Sequence, residues 1–306
     1  LGGKAKPQRA AVLGGIEGLK KRLESSDPQE RFVALQQAVN YGDEGLKMVK
    51  EASLQERKKL AENSSTPEAI LEQLALDKDE GVREGVAENP KTPEALLEQL
   101  ALLDENRLVR LEVALNRNTP EALLEQLALL DGNCLVRWEV ALNRNTPEEA
   151  LQQLALDKNE RVRQGVAENR NTPETILQQL ALDGDLSVRW KVANNCNTPE
   201  EALQQLTLDE NERVRQGVAE NCNTPEALLQ QLALDGDLSV RFRVAENRNT
   251  PEEALQQLAL DKDMFVCSGV AENRNTPETI LQRLAQDENE KVRDRAIEIL
   301  RKKGLR

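Results

Sequence analysis

The chain has 306 residues and a net charge of −13, with 31% charged but only 2% aromatic residues. The acidic balance argues against nucleic-acid binding, which depends on Lys and Arg, and the absence of His removes the usual general base and the commonest metal ligand. No apolar run is long enough to span a bilayer, so the composition favours a helical, non-enzymatic, cytoplasmic protein without nucleic-acid or membrane partners.

The N-terminal segment, residues 1–65, differs from the rest of the chain and predicts a helical cap. It is richer in Lys and Arg than the remainder. Its apolar spacing predicts helices at about 7–24, 28–40 and 43–51. Pro28 falls just inside the second of these helices, and Ser53 with Glu56 forms a capping-box sequence that opens a half-repeat. The chain begins with Leu rather than Met, so we expect a fragment or a processed protein.

The remainder of the chain is a repeat. The dipeptide Thr-Pro recurs at intervals of 26 or 27 residues, a period typical of solenoids. Its threonines are Thr66, Thr92, Thr119, Thr146, Thr172, Thr198, Thr224, Thr250 and Thr276. Because a short helix with one apolar stripe cannot bury that stripe alone, stacking of successive repeats is expected to form the core.

Each repeat predicts two short helices. The first begins with TPE, with Thr as the expected N-cap and Pro at the first helical position. The second is of the type DENERVRQGVAEN, opened by Asp or Asn and closed by an Asn that we expect in the left-handed conformation. At the C-terminus, Glu290–Lys303 lacks the closing Asn. The predicted domains are therefore a cap at 1–65, repeats at 66–285 and a C-terminal capping helix at 286–306.

The TPE start, the D-x-x-x-V-R centre and the A-x-N end, recurring in this order, resemble the leucine-rich repeat variant family, which is related to HEAT-like α-solenoids. The resemblance covers residues 53–300. It implies an all-α, right-handed α-solenoid of nine two-helix repeats of about 26 residues with helical caps. The segment before the repeats is similar to helical modules of cyanobacterial repeat proteins.

The same resemblance bears on cofactors. A known member of the family carries an iron–sulfur cluster on cysteines ahead of its repeats. This chain has no cysteine before Cys134 and no CxxC pair, so we predict no cofactor and no metal.

An arginine recurs at one position of the second helix. It is Arg83, Arg110, Arg137, Arg163, Arg189, Arg215, Arg241 or Arg293, and Cys267 is the one departure. An anion-binding groove is one interpretation. We favour a structural ladder, because each repeat also supplies an Asp at the junction of its helices, such as Asp77, Asp157 or Asp183, and Arg suits bidentate pairing with carboxylates.

The two residues after this arginine vary from repeat to repeat and lie opposite the buried valines of a helix. Trp138, Trp190 and Phe242 share the first of these positions at every second repeat, with Gln164 and Gln216 between them. This alternation predicts a second period of about 52 residues, as expected from duplication of a pair of repeats.

Two neighbouring repeats add leucines to this outward face. The predicted protein-binding residues are Leu108, Leu111, Leu115, Leu135, Trp138 and Leu142, extended by Trp190 and Phe242. Contiguous exposed apolar patches mark interaction sites, and Trp is a preferred hot-spot residue. The alternative is that the N-terminal helices, or the extra leucines of the two ALLD junctions, cover this patch.

Cys196 and Cys222 share one repeat position, where most copies have Arg. Successive helices lie about 10 Å apart, beyond the limit of about 7 Å between the α-carbons of a disulfide. We therefore expect free thiols in a reducing compartment.

A constant frame with a variable face favours a non-catalytic protein-binding scaffold, whose partner is another protein or a second copy of the chain. One alternative is an accessory subunit for cofactor attachment, by analogy with HEAT-like bilin lyases. Another is the sensor module of a larger signalling or defence protein.

Overall fold

The structure, a computed structural model, describes residues 14–304. Within that range the regular elements are 22 α-helices and one 3-10 turn, with no strand. The chain divides into two compact units, Leu1–Ala150 and Leu151–Arg306, and each is described by itself. The predicted all-α architecture of stacked repeats is confirmed.

The first unit contains the N-terminal helices and the first repeats. Its helices are α1 Gly15–Leu23, α2 Pro28–Gln36, α3 Gly42–Glu51, α4 Leu54–Glu62, α5 Glu68–Leu74, α6 Glu80–Glu88, α7 Glu94–Leu103, α8 Arg107–Leu115, α9 Glu121–Leu130 and α10 Cys134–Leu142, with the 3-10 turn Ala38–Tyr41 after α2. Helix α11, Glu148–Leu154, contains the boundary between the units. The second helices α4, α6, α8 and α10 pack in chain order. Of the predicted helix at 7–24, residues 7–13 lie outside the described range, whereas the predicted capping box of Ser53 and Glu56 is present.

The second unit continues the alternation. Its helices are α12 Glu160–Glu168, α13 Glu174–Leu180, α14 Leu186–Asn194, α15 Glu200–Leu206, α16 Glu212–Glu220, α17 Glu226–Leu232, α18 Leu238–Glu246, α19 Glu252–Leu258, α20 Met264–Glu272, α21 Glu278–Leu284 and α22 Glu290–Lys302. The second helices α12, α14, α16, α18, α20 and α22 pack in sequence order. Their valines, such as Val214 and Val218, are fully buried together with the leucines of the first helices.

The Thr-Pro motif works differently from the prediction. Pro173, not Thr172, is the N-cap residue of α13, so the expected threonine N-cap is wrong. The buried Thr172 hydroxyl instead donates to the carbonyl oxygen of Val166 at 2.6 Å. The reason is that the last carbonyls of the preceding helix have no helical partner and lie in the core. The threonine therefore caps the helix before it.

The asparagine that closes each second helix also departs from the prediction. Asn221 is extended, with φ −63° and ψ 129°, and no described residue other than glycine has a positive φ. Its side-chain amide donates to the carbonyl oxygens of Ala193 at 2.7 Å and Asn195 at 2.8 Å, both in the preceding repeat. The predicted left-handed conformation is wrong. In the extended conformation observed, the Asn221 side chain points towards the preceding repeat and can donate to its carbonyl oxygens. We call these equivalent contacts the asparagine ladder.

The recurring arginines form the predicted ladder. Arg215 pairs with Asp235 of the next repeat (Nε to Oδ2 2.7 Å, Nη2 to Oδ1 3.0 Å) and donates from Nη1 to the carbonyl oxygen of Asp209 at 2.8 Å. The pair therefore links successive repeats rather than the two helices of one repeat. Equivalent ion pairs are Arg57–Asp77, Arg83–Asp104, Arg110–Asp131, Arg163–Asp183, Arg189–Asp209 and Arg241–Asp261.

Three carboxylates of this arginine ladder, those of Asp183, Asp235 and Asp261, have a lowered pKa. Burial would by itself raise the pKa of Asp235, but hydrogen bonds from Arg215 and from the backbone N–H of Asp237 outweigh burial. The pKa of Asp235 therefore lies below its ordinary value of 3.8.

Cys267 interrupts the arginine ladder. Its side chain is 3% exposed, and its S–H donates to the carbonyl oxygen of Asp261 at 3.2 Å. Burial, with a contribution from the nearby Asp287 carboxylate, raises the pKa of Cys267 to about 11. Among the described residues Asp287 forms no ion pair with Lys or Arg, so one contact of the ladder is missing between α20 and α22.

Replacing Cys267 by Arg should restore this contact. We expect the Cys267→Arg variant to gain about 1 kcal/mol in the free energy of unfolding, since a charge-assisted hydrogen bond to Asp287 contributes about that much. Urea denaturation measures the change. Cys134→Arg, the same substitution outside the ladder, is the matched control and should change stability little. A loss of stability on Cys267→Arg would contradict the interpretation.

Candidate functional site

The six leucine and tryptophan positions predicted in the first unit lie on two stacked helices, α8 and α10. Leu108 and Leu115 are 44% and 46% exposed. The remaining four, Leu111, Leu135, Trp138 and Leu142, are half-buried. Val109 and Val113 of α8 are fully buried on the opposite face. We call the six residues together with Glu112 and Glu139 the α8–α10 surface.

The extra leucines of the ALLD junctions do not cover the α8–α10 surface. Leu103 at the end of α7 and Leu130 at the end of α9 are each 76% exposed. Leu102 and Leu129 are exposed as well. Leu108 and Leu115 are themselves exposed to solvent, so no described part of the chain covers them.

Carboxylates border the apolar side chains of this surface. Glu112 on α8 and Glu139 on α10 are half-buried and form no ion pair among the described residues. Burial raises the pKa of both, and the charges of Glu88 and Glu84 on α6 raise the pKa of Glu112 further. The first unit therefore presents exposed leucines beside uncompensated negative charge.

The predicted aromatic residues of the second unit have a partner that the sequence analysis missed. A Cβ atom added to Gly217 would lie 2.8 Å from Ala193 Cβ and 3.3 Å from Trp190 Cδ1. A Cβ atom on Gly269 would similarly meet Ala245 Cβ at 3.1 Å and the Phe242 ring at 3.4 Å. Each ring thus packs over a glycine of the following repeat, which lets the second helices approach closely. The sequence did contain an indication of this packing. The dipeptide Gln-Gly occupies the equivalent position in the repeats before and after that of Trp190.

A set of ion pairs has the same two-repeat period. Lys191 contacts Glu168 at 2.6 Å, and Arg243 contacts Glu220 at 2.7 Å, in each case reaching back to the preceding second helix. Arg295 contacts Glu272 at 2.6 Å in the same way. The cations of Lys191 and Arg243 also lie over the rings of Trp190 and Phe242. Trp190 and Phe242 are consequently half-buried parts of the frame as well as surface residues.

A row of leucines at the ends of the first helices is more exposed than the α8–α10 surface. Leu76, Leu103, Leu130, Leu156, Leu182, Leu208, Leu234 and Leu260 are each exposed. The sequence analysis named only Leu103 and Leu130 of this row, because the TPEALLEQLALD pattern does not show where the helix ends. One such leucine occurs in each of the first eight repeats, and Gln286 takes its place in the last, so the row belongs to the repeat frame, and isolated exposed leucines are common.

The acidic side chains do not assemble into a metal site. Among the described residues no group of three or more Cys, Asp or Glu side chains is arranged to hold a metal ion. Over the same part of the chain, every helix is too short or too polar to cross a membrane.

The cysteines are placed differently from the expectation. All four carry free thiols, yet Cys196 Sγ lies only 2.7 Å from Cys222 Sγ. The estimate from helix spacing did not predict this contact. Both residues lie in loops, where the asparagine ladder holds one repeat directly against the next.

The stacked two-helix repeats define an α-helical repeat protein of the solenoid class. No protein-family profile and no curated protein matches the chain. A solved leucine-rich repeat variant, described as having a novel repetitive protein structural motif, aligns with 26% identity and a TM-score of 0.55 over 74% of this chain and 88% of that chain. An X-ray structure of Escherichia coli YibA aligns over 98% of this chain and 99% of that chain with 15% identity and a TM-score of 0.32. The first match confirms the resemblance to the leucine-rich repeat variants.

Proposed function

We propose that the chain is a non-catalytic scaffold that binds another protein through the variable face of its second helices, with the α8–α10 surface as the principal contact. The observation that carries this proposal is the exposure of Leu108 and Leu115, which the repeat frame does not require. In other repeats Gly81, Arg161 and Ser187 occupy the position of Leu108, and Glu88, Glu168 and Asn194 occupy that of Leu115. Solenoids of repeats are typically non-catalytic.

Charge decides which kind of partner fits best. The carboxylates of Glu112 and Glu139 border the apolar side chains without a compensating cation. A partner segment with an apolar stripe flanked by Lys or Arg would bury the leucines and neutralise these carboxylates. A second copy of this chain, with its net charge of −13, would instead bring like charges together. The proposed partner is therefore a basic amphipathic helix of another protein.

Trp190 and Phe242 remain in the proposal as separate contacts on the second unit. Because each ring also covers a glycine, its contribution to binding is expected to be smaller than that of the exposed leucines.

A synthetic amphipathic peptide of about 18 residues, built from Leu and Lys, tests the proposal by fluorescence titration. The double variant Leu108→Gln with Leu115→Gln should weaken binding by about 2 kcal/mol, or about thirtyfold, since two leucines lose their apolar contact. Trp138→Gln should weaken it by a similar amount if Trp138 is a hot spot. The chain has only two tryptophans, Trp138 and Trp190, so any change in intrinsic fluorescence that is lost in Trp138→Gln reports on Trp138.

The controls separate this surface from general apolar binding. Leu103→Gln with Leu130→Gln makes the same change at leucines of the same unit that are more exposed, and should leave affinity within about twofold. A peptide with Glu in place of Lys should bind much more weakly. Equal loss in both double variants would refute the site. A wild-type dimer that the Leu108→Gln and Leu115→Gln changes abolish, seen by light scattering, would assign the surface to a second copy instead.

A further inference from the structure

Two cysteines of the second unit are held in contact by the loops that carry them. Cys196 follows α14 and Cys222 follows α16, one repeat apart, and both are exposed. Their Sγ atoms are 2.7 Å apart, only about 0.7 Å more than a disulfide bond. The residues on either side are fixed between repeats, since Asn221 donates to the Asn195 carbonyl at 2.8 Å and Asn223 donates to the Cys196 carbonyl at 2.5 Å. The two thiols therefore lie in direct contact.

The repeat frame does not require cysteine at this position. The equivalent residues in other repeats are Ser64, Pro90, Arg117, Arg144, Arg170, Arg248 and Arg274. Cysteine occurs here only twice, in the two successive repeats whose side chains touch. Cys267 differs in every respect, because it is buried and its thiol donates to a backbone carbonyl oxygen.

We propose that Cys196 and Cys222 form a reversible disulfide that links two successive repeats, with a low-molecular-weight disulfide such as oxidised glutathione as the oxidant. One protein thiol loses its proton and attacks a glutathione sulfur, which releases one glutathione thiol and leaves a mixed disulfide. The second protein thiol loses its proton and attacks the protein sulfur of that mixed disulfide, which releases the second glutathione thiol. Two electrons pass to the oxidised glutathione, and the two protons end on its two thiols.

The bond would join the repeats that also share the contact between Trp190 and Gly217. A cross-link across 26 residues restricts the unfolded chain and should stabilise these repeats. The contact with Cys196, followed by partial burial, raises the pKa of the Cys222 thiol. Exchange should therefore become faster as the pH rises, since the thiolate is the attacking species.

The experiment treats the reduced 306-residue chain with oxidised glutathione in the absence of oxygen and follows intact mass, free thiols and thermal unfolding. We expect a product that has lost two hydrogen atoms, with two free thiols remaining of the original four and a linked Cys196–Cys222 peptide. The unfolding midpoint of this product should rise by about 5 °C. Dithiothreitol should reverse all of these changes.

Cys196→Arg is the matched control, because Arg occupies this position in five other repeats. This variant should retain the wild-type circular dichroism, accept a single glutathione on Cys222 and show no rise in midpoint. The proposal is overturned if the wild type keeps glutathione on Cys196 and Cys222 separately. It is equally overturned if the main product is a disulfide between two chains.

Discussion

The Asn221→Ala variant should lose about 3 kcal/mol in the free energy of unfolding. The substitution removes two donated hydrogen bonds and the acceptor of the Asn223 backbone N–H. The Ala193 carbonyl lies in the last turn of α14, where no helical N–H reaches it. A buried group left without a partner costs about 1–3 kcal/mol, and the other lost bonds add to this. Urea denaturation measures the difference.

Asn223→Ala is the matched control for this prediction. Asn223 is exposed and its amide also donates to a carbonyl of the preceding repeat, but water can replace that bond. We expect a loss of no more than about 1 kcal/mol. If Asn223→Ala destabilised the chain as much as Asn221→Ala, the effect would come from the loop in general and not from the buried asparagine ladder.

Removing one arginine of the arginine ladder should cost a similar amount. In Arg215→Ala the carboxylate of Asp235, 9% exposed, loses its guanidinium, and breaking a buried ion pair on one side costs about 3 kcal/mol. The double variant Arg215→Ala with Asp235→Ala should be more stable than the single variant, because the unpaired charge is gone. Arg213→Ala, the same change at an exposed residue of α16, is the control and should stay within about 0.5 kcal/mol.

The cost of Arg215→Ala should depend on pH with a defined sign. In the wild type the pKa of Asp235 is lowered below 3.8, so its contribution is present above that value and is lost as the pH falls through the lowered pKa. In the variant the buried carboxylate has a raised pKa and is neutralised first. The stability difference between the two chains should therefore shrink in acid, as unfolding curves at a series of pH values will show. A constant difference would mean that Arg215 contributes through packing alone.

The sequence predicts the helices and an Arg–Asp ladder because both follow from residues that recur at fixed positions, but it did not show that the Asp partner belongs to the next repeat. Val214 and Val218, four residues apart, define the buried face of α16. Because Arg215 directly follows Val214, its side chain lies at the edge of that face, where the recurring Asp can pair with it. Features that depend on the neighbouring repeat were missed or misassigned. The hydrogen bond from Thr172 to Val166, the extended Asn221 and the contact of Trp190 with Gly217 all require the spacing between successive turns of chain, which a period alone does not contain.

In the candidate site, too, helix geometry predicted which side chains face outward but not which contacts they make with the neighbouring repeat. The outward phase of Leu108 and Leu115 follows from helix geometry, and both are exposed. Trp190 also lies on the outward side of its helix, yet it is half-buried, because its ring packs over Gly217 of the next repeat. The raised pKa of Glu112 was not predictable either. It reflects burial and the charges of Glu84 and Glu88 on α6, which are separated from Glu112 in the sequence by the whole of α7.

The two-repeat alternation limits how such a chain can lengthen or shorten during evolution. Loss of the single repeat that contains α16 would place α18 directly after α14. Trp190 would then face Arg243 where it now covers Gly217, and Arg243 would face Asn194 where it now pairs with Glu220. Loss of two successive repeats would instead return every ring to a glycine and every cation to a glutamate. Repeats can therefore be added or removed in even numbers without loss of these contacts.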